Sequence, residues 1–420
     1  MQEKRWRLSH DTNAATKVCI CVKISAYNNS TDPLPRSTGW QRSRGAMSAR
    51  IPELTGLRCV AVMMVVLTHA AGTFEGGYTG VLYPLRYFSN GGLGVQIFFV
   101  LSGFLITNLL HAEWKAWSAI DLPQFYLRRT LRIWPAFYAY ILVLVLLSAC
   151  QVLDIGWRQF AFAALHVWNY SEALGLGQSH VQHPDGAWYL GHFWTLALEE
   201  QFYWFWPPLL IFLLRGRGKG WLLGLILLMP LVRVAFYFLT PSLRGQLGMM
   251  LHTGVDSILI GCLTALGLPR IQDVLERHHG AALVTACCIA LVFVNPLLGS
   301  ALGNAWSATY GTTFNGVCIA VILAGLVTMK DLWLSRLLRL RPFIFVGTIS
   351  YSLYLWQQLF LVKDSLLAWA YPFNIVQAFA AATLSYWLIE TPFLKIKDGR
   401  KHKRAMAMAP QAAGDTTGGK

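Results

Sequence analysis

The sequence predicts an all-α polytopic membrane protein of about ten transmembrane helices, and three observations carry that expectation. Of its 420 residues, 55% are hydrophobic and only 13% charged, where a soluble domain carries about a quarter charged residues. Ten separate runs approach the ~20 apolar residues that cross a hydrocarbon core about 30 Å thick. Lysine and arginine fall in alternate connections between those runs, as the positive-inside rule requires of a multi-pass chain.

The runs lie at 57–72, 92–111, 133–151, 194–214, 219–239, 250–268, 280–299, 312–329, 343–361 and 372–390, within one membrane domain over 50–395. "RRTLR" at 128–132, "RGRGK" at 215–219, Arg270 with Arg277, and "SRLLRLR" at 335–341 occupy the even-numbered connections, whereas 297–312 has no lysine or arginine. This alternation places both termini in the cytoplasm, and the expected location is the plasma (inner) membrane. Residues 157–169 are also apolar, but a crossing there would invert every later loop. They are read as a re-entrant or interfacial piece. Residues 170–193 then form an outer loop carrying His180, His183, Asp185 and Trp188, a place to meet a polar substrate.

The ends are different. Residues 1–46 read as a basic, irregular head. Met47 stands directly before "SARIPELTGLR", so a translated head and a true start at Met47 are both open. Residues 396–420 read as a basic cytoplasmic tail. The head holds eight Lys/Arg against three acids, and 395–420 holds seven against two, so ten of the +15 charges sit in the two ends. That placement argues against a nucleic-acid partner. Six of eight cysteines (Cys59, Cys150, Cys262, Cys287, Cys288, Cys318) lie in apolar runs without metal-ligand spacing, so neither a disulfide framework nor a metal site is expected.

Three clusters could carry chemistry. In "GLRCVAVMMVVLTHA", Arg58 and His69 are eleven residues apart. At 100° per residue they return to within ~20° of one helix face, with a rise of roughly 16 Å. Ionisable groups inside a span usually face a cavity or a partner, although snorkelling and a simple interhelical hydrogen bond also fit. In "FYLRRTLRIWP", Arg128, Arg129 and Arg132 crowd the mouth of the third helix. Planar guanidinium groups suit bidentate phosphate binding, and ordinary topology is the plainer account. In "HFWTLALEEQFYWFWPP", Glu199 and Glu200 begin an apolar span, and Glu199, Tyr203 and Trp206 share a face. Trp194, Tyr203 and Trp206 are candidates to hold a sugar acceptor, with an interfacial aromatic belt as the alternative. Within "GGLGVQIFFVLSGFLIT", Ser102 and Gly103 are read as packing residues, since "LSG" is no nucleophile elbow.

Taken in order, these segments resemble the acyltransferase-3 family of integral membrane O-acyltransferases. The resemblance runs over roughly 50–395 and includes "VDSILIGCLTAL", "ISYSLYLWQQ" and "LSYWLIETPF". It implies transfer of an acyl group, most often acetyl from acetyl-CoA, to a hydroxyl of a carbohydrate, lipid-linked glycan or other envelope acceptor. No bound cofactor is implied, acyl-CoA being the donor substrate. The family's arginine-x10-histidine pair matches Arg58 and His69, its arginine motif Arg129 and Arg132, and its glutamate pair Glu199 and Glu200. Some members add a soluble SGNH-type domain, which is not expected here. Three positions depart from the usual pattern: Gln96 stands for an acid, Gln357 for a histidine, and Gly254 for an arginine two residues before Asp256.

On this resemblance the arginines anchor the phosphates of acyl-CoA, and Arg58 assists with phosphate or acyl orientation. Glu199 or Glu200 holds an imidazole or binds the acceptor. His69, with an unperturbed pKa of about 6.5, serves as general base or as a covalent acyl carrier. The rival readings are a transporter with an Arg/His/Glu relay, which ten helices fit equally well but which predicts inverted halves; a polyprenyl-phosphate glycosyltransferase, which would carry acidic metal motifs in its loops; and an inactive scaffold.

Overall fold

The computed structural model describes residues 51–176, 186–216, 219–329, 331–363, 365–397 and 399. The basic head, most of the tail, and His180, His183 and Asp185 of the expected outer loop lie outside the described residues. The chain divides into a unit at Met1–Ala49 and one at Arg50–Lys420, and all the described residues belong to the latter.

It is all helix. α1 is Pro52–Ala71, α2 Gly91–Trp117, α3 Leu122–Ala149, α4 Trp157–Ala164, α5 Gly186–Leu190, α6 Phe193–Arg215 and α7 Lys219–Leu239. α8 is Asp256–Arg277, α9 the continuous stretch Gly280–Leu302, α10 Tyr310–Thr328, α11 Trp333–Leu338, α12 Arg341–Thr348, α13 Ser350–Phe360 and α14 Phe373–Ser385. Among the described residues, seven helices are long and apolar enough to cross a membrane: α1, α2, α3, α7, α8, α9 and α10. Leu142, Phe212, Leu227, Phe293 and Trp387 stay exposed on outer faces, as expected where lipid replaces water. The chain is a multi-pass membrane protein.

The other three expected spans are helical but interrupted or polar. α6 carries Glu199 and Glu200. The run at 343–361 is two helices, α12 and α13, which meet at Ile349. The run at 372–390 is α14 followed by one wider π turn, Tyr386–Glu390, the kind of local bulge that functional sites often use.

α3 begins eleven residues earlier than its apolar run. Pro123 falls in the first turn, and Asp121 caps the helix by accepting from the Gln124 amide at 3.1 Å. The three arginines therefore ride inside the helix and not in a connection before it. Arginines mask the apolar pattern, but the Asp-Leu-Pro start signal stands in the sequence. Cys150 caps the other end and is exposed, unlike the buried Cys59, Cys262, Cys287 and Cys318.

The 157–169 segment dips back along α3. Ser148, at the end of α3, donates to the Ile155 carbonyl at 3.4 Å, whereas Tyr138, ten residues back along the helix, donates to the Ala164 carbonyl at 3.1 Å. Eight residues of helix span only about 12 Å, too short to cross. The segment goes in and returns, its Gln159 donating to the Leu176 carbonyl at 2.9 Å.

α2 lies along α1 and α8 at the centre, with α10 behind it and α12 on the far side of α1. Small residues set these approaches. A Cβ on Gly103 would fall 2.0 Å from the Ile258 carbonyl oxygen, and one on Gly261 2.1 Å from that of Val100. α1 is gripped in the same way: a Cβ on Gly56 would meet the Leu338 carbonyl oxygen at 2.1 Å, and one on Gly347 that of Thr55 at 1.9 Å.

Candidate active site

A small cavity of about 60 Å³ opens between α1, α2, α6 and α13. Arg58, Ser102, Glu199, Tyr351 and Tyr354 supply its polar wall, and Val95, Phe98, Phe99 and Leu196 its apolar one. A mostly apolar chamber with a few convergent polar groups is the usual form of a small-molecule site.

Glu199 is the hub. Its Oε1 accepts from the Ser102 hydroxyl at 2.8 Å and its Oε2 from the Tyr203 hydroxyl at 3.3 Å. Tyr203 is reachable because it stands one turn along α6 on the same face. The Arg129 guanidinium lies 3.7 Å from the centroid of the Tyr203 ring, a cation–π stack that a planar cation favours. Arg58 is in electrostatic range of Glu199, Arg129 and Arg132. Glu200, buried at 6% exposure, faces Arg129. Among the described residues, the buried Nε atoms of Arg58 and Arg129 have no hydrogen-bond partner. Buried guanidinium edges left unpaired are costly, so the site has capacity for an anionic or carbonyl ligand.

The structure separates the arginine cluster. Arg128 turns the other way and pairs with Glu113 of α2 at 3.4 Å, both half-buried. Arg129 and Arg132 face the cavity side. Glu390, from the π turn, lies in range of Arg132 and Arg58 and takes a short hydrogen bond from Ser352. Trp206 is fully buried and stacks on Phe202 at 5.3 Å, and Trp194 sits edge-on to Phe99 at 5.9 Å. Trp194 thus backs the cavity wall, while Trp206 packs within the bundle.

His69 stands beyond the lining of this cavity, about three turns along α1 from Arg58. Its Nδ1 is 2.8 Å from Gln357 Oε1, and its ring is edge-on to Trp188 at 5.2 Å. Between the two ends lies a chain of hydroxyls. Tyr354, on the cavity wall, is 2.8 Å from Thr195 Oγ1, and Thr195 donates to the His192 carbonyl at 2.9 Å. The His192 ring is in electrostatic range of His69.

Sequence reasoning passes over four participants. Ser102 reads as a packing residue, and its partner Glu199 is 97 residues away, beyond any local pattern. Glu390 and Gln358 sit in family-like motifs without a role. Arg233, alone in the apolar run of α7, carries the signal of an ionisable group in a span. It is fully buried and donates to Asp256 Oδ2 at 2.8 Å, the Thr253 carbonyl at 2.8 Å and the Thr309 carbonyl at 2.9 Å. This explains Gly254: a Cβ there would fall 2.0 Å from the Gly248 carbonyl oxygen. No side chain fits at 254, and Arg233 reaches Asp256 from another helix. Gln96 keeps its Oε1 buried and without a partner among the described residues.

A helical membrane domain with a cationic and carboxylate-lined cavity at the end of its first helix defines a class, and the sequence comparisons agree. The family model described as "Acyltransferase domain" matches residues 51–390, so the chain belongs to the acyltransferase-3 family of membrane proteins. It is similar to the peptidoglycan O-acetyltransferase OatA of Listeria monocytogenes, 28% identical over 378 residues, covering 82% of this chain and 56% of that one. It is also similar to the O-acetyltransferase OatA of Staphylococcus aureus (strain NCTC 8325), 27% identical over 388 residues, covering 87% and 60% respectively. The chain thus spans less than two thirds of the length of these relatives. No solved structure matches.

Proposed function

We propose that this protein is a membrane O-acyltransferase that moves an acyl group, acetyl foremost, from acyl-CoA to a hydroxyl of a cell-envelope carbohydrate. Peptidoglycan is the acceptor that a relative's name points to first. The observation that carries the reading is the junction of Arg58, Glu199 and Ser102 around one cavity, backed by Arg129 stacked on Tyr203, with His69 on the same helix as Arg58. The unpartnered Arg58 and Arg129 edges receive a phosphate of the donor, whose thioester end extends toward His69. Arg132 and, at the periphery, Arg128 add positive charge for the nucleotide end. Glu199 and Glu200 hold these arginines in place and balance their charge. Trp194 gives the acceptor an aromatic wall, while Tyr203 seats Arg129 and Trp206 packs behind them.

His69 removes the proton from the acceptor hydroxyl as its oxygen attacks the thioester carbonyl. The carbon–sulfur bond breaks, and the thiolate leaves and takes up the proton. Such a base contributes about 10²–10⁴-fold. The test uses membranes holding the full chain, incubated with labelled acetyl-CoA and envelope extract. Label entering carbohydrate with wild type and lost with His69→Ala and Arg129→Ala, at equal membrane levels, supports the reading. Equal labelling in all three overturns it.

A further inference from the structure

Gln357 stands where the family usually has a histidine, and its surroundings determine which nitrogen of His69 carries the proton. The Trp188 main-chain carbonyl can only accept, and Gln358 Nε2 lies 3.0 Å from it. Gln358 must therefore point its NH2 at Trp188 and its Oε1 the other way, while the Trp188 indole NH donates back to the Gln358 main-chain carbonyl at 3.1 Å and holds the two residues together. Gln358 Oε1 is 2.9 Å from Gln357 Nε2, so Gln357 donates there. Only Gln357 Oε1 is then left to face His69 Nδ1, at 2.8 Å. An amide oxygen has no proton to give. The imidazole must donate from Nδ1, and in the neutral ring the lone pair is then on Nε2. Gln357 and Gln358 are 0% and 1% exposed, so water does not compete for these groups.

We propose that Gln357 and Gln358 are positioning residues that lock His69 in the Nδ1–H tautomer, presenting Nε2 as the base. The value of the lock rests on the role given to His69 under Proposed function, but the tautomer itself does not. Fixing the proton on one ring nitrogen through the partner of the other is a general means of preparing an imidazole for chemistry.

The test is solid-state NMR of the full chain in bilayers with 15N-labelled histidine, the His69 signals being those that vanish in His69→Gln. Wild type is expected to show a protonated Nδ1 and an unprotonated Nε2. Gln358→Leu, which touches no atom of His69, frees the Gln357 amide to turn and is expected to yield a mixture of tautomers. Gln357→Leu does the same. Gln357→Glu, protonated in its buried place, keeps an acceptor for Nδ1 and a donor for Gln358, and restores the wild-type pattern. A wild-type ring protonated on Nε2 overturns the proposal, as does a Gln358→Leu spectrum identical to wild type. Turnover in the same membranes should fall at least about tenfold in both leucine variants, within the ~10²–10⁴-fold that a base supplies, with donor KM unchanged. If the spectra are as expected and His69→Ala still labels carbohydrate, the lock stands and the assigned function fails. If labelling needs His69 but the ring is protonated on Nε2, the function stands and the lock fails.

Discussion

The Ser102 hydroxyl donates to Glu199 at 2.8 Å, tying the middle of α2 to the first third of α6. Tyr203 takes the second carboxylate oxygen, so Glu199 is held at both ends while it faces Arg58. Ser102 thereby acts on the carboxylate and not as a nucleophile.

Ser102→Ala should cost one hydrogen bond, about 1–3 kcal/mol for a charged acceptor, and lower acyl transfer by roughly tenfold in the labelling assay. Glu199→Gln removes the charge opposite Arg58 and Arg129 and should cost more, about a hundredfold. Complete loss in Ser102→Ala with activity retained in Glu199→Gln would make Ser102 the reacting group instead.

The arginines should not behave alike. Arg128 is paired with Glu113 and 23% exposed, and pairs within reach of solvent contribute about 0–1 kcal/mol. Arg128→Ala should leave labelling within about threefold of wild type. Arg129→Ala removes the cation stacked on Tyr203 and should raise the donor KM at least tenfold. Titrating acetyl-CoA against the two variants separates these outcomes.

Arg233 and Asp256 are a stability prediction. Breaking a fully buried pair by removing one partner costs about 3–5 kcal/mol. Arg233→Met and Asp256→Asn should each lower the unfolding temperature in detergent by several degrees. The double variant Arg233→Met with Asp256→Leu leaves no orphaned charge and should recover most of the loss. A double variant as unstable as the sum of the singles would show that the hydrogen bonds to Thr253 and Thr309, and not the orphaned charge, dominate.

Gly103→Ala gains helix propensity of about 1 kcal/mol, yet its methyl group would meet the Ile258 carbonyl at 2.0 Å. The clash should win, and the variant should unfold at a lower temperature than wild type. Thermal melts followed by size-exclusion chromatography would show it.

Much of this architecture can be read from apolar runs alone, because a helix that must satisfy its backbone in lipid leaves a long unbroken signature. The seven helices long and apolar enough to cross a membrane show it. What the runs hide is where function has cut into them. Arg128, Arg129 and Arg132 conceal the first three turns of α3, and the break at Ile349 lies inside a run that looks continuous. The site is legible as far as residue type goes: Arg58, Glu199 and Arg129 announce themselves as charges among apolar neighbours. Their partners do not. Ser102, Tyr354 and Gln358 are ordinary residues given a task by the fold, and only three-dimensional adjacency assigns it. His69 and Arg58 share a helix face as their spacing predicts, but α13, whose Gln357 and Tyr354 stand beside the two ends, comes nearly three hundred residues later.

The main-chain grip on α1 has one more consequence. With Leu338 and Thr55 carbonyls pressed against bare glycine positions, no soft side-chain layer lets the helix slide or bow. α1 is a fixed gauge, and its two polar marks, Arg58 and His69, stay roughly 16 Å apart along its axis. Whatever passes from the arginine mark to the histidine mark must travel on a slender arm of about that reach, or be handed over on the way.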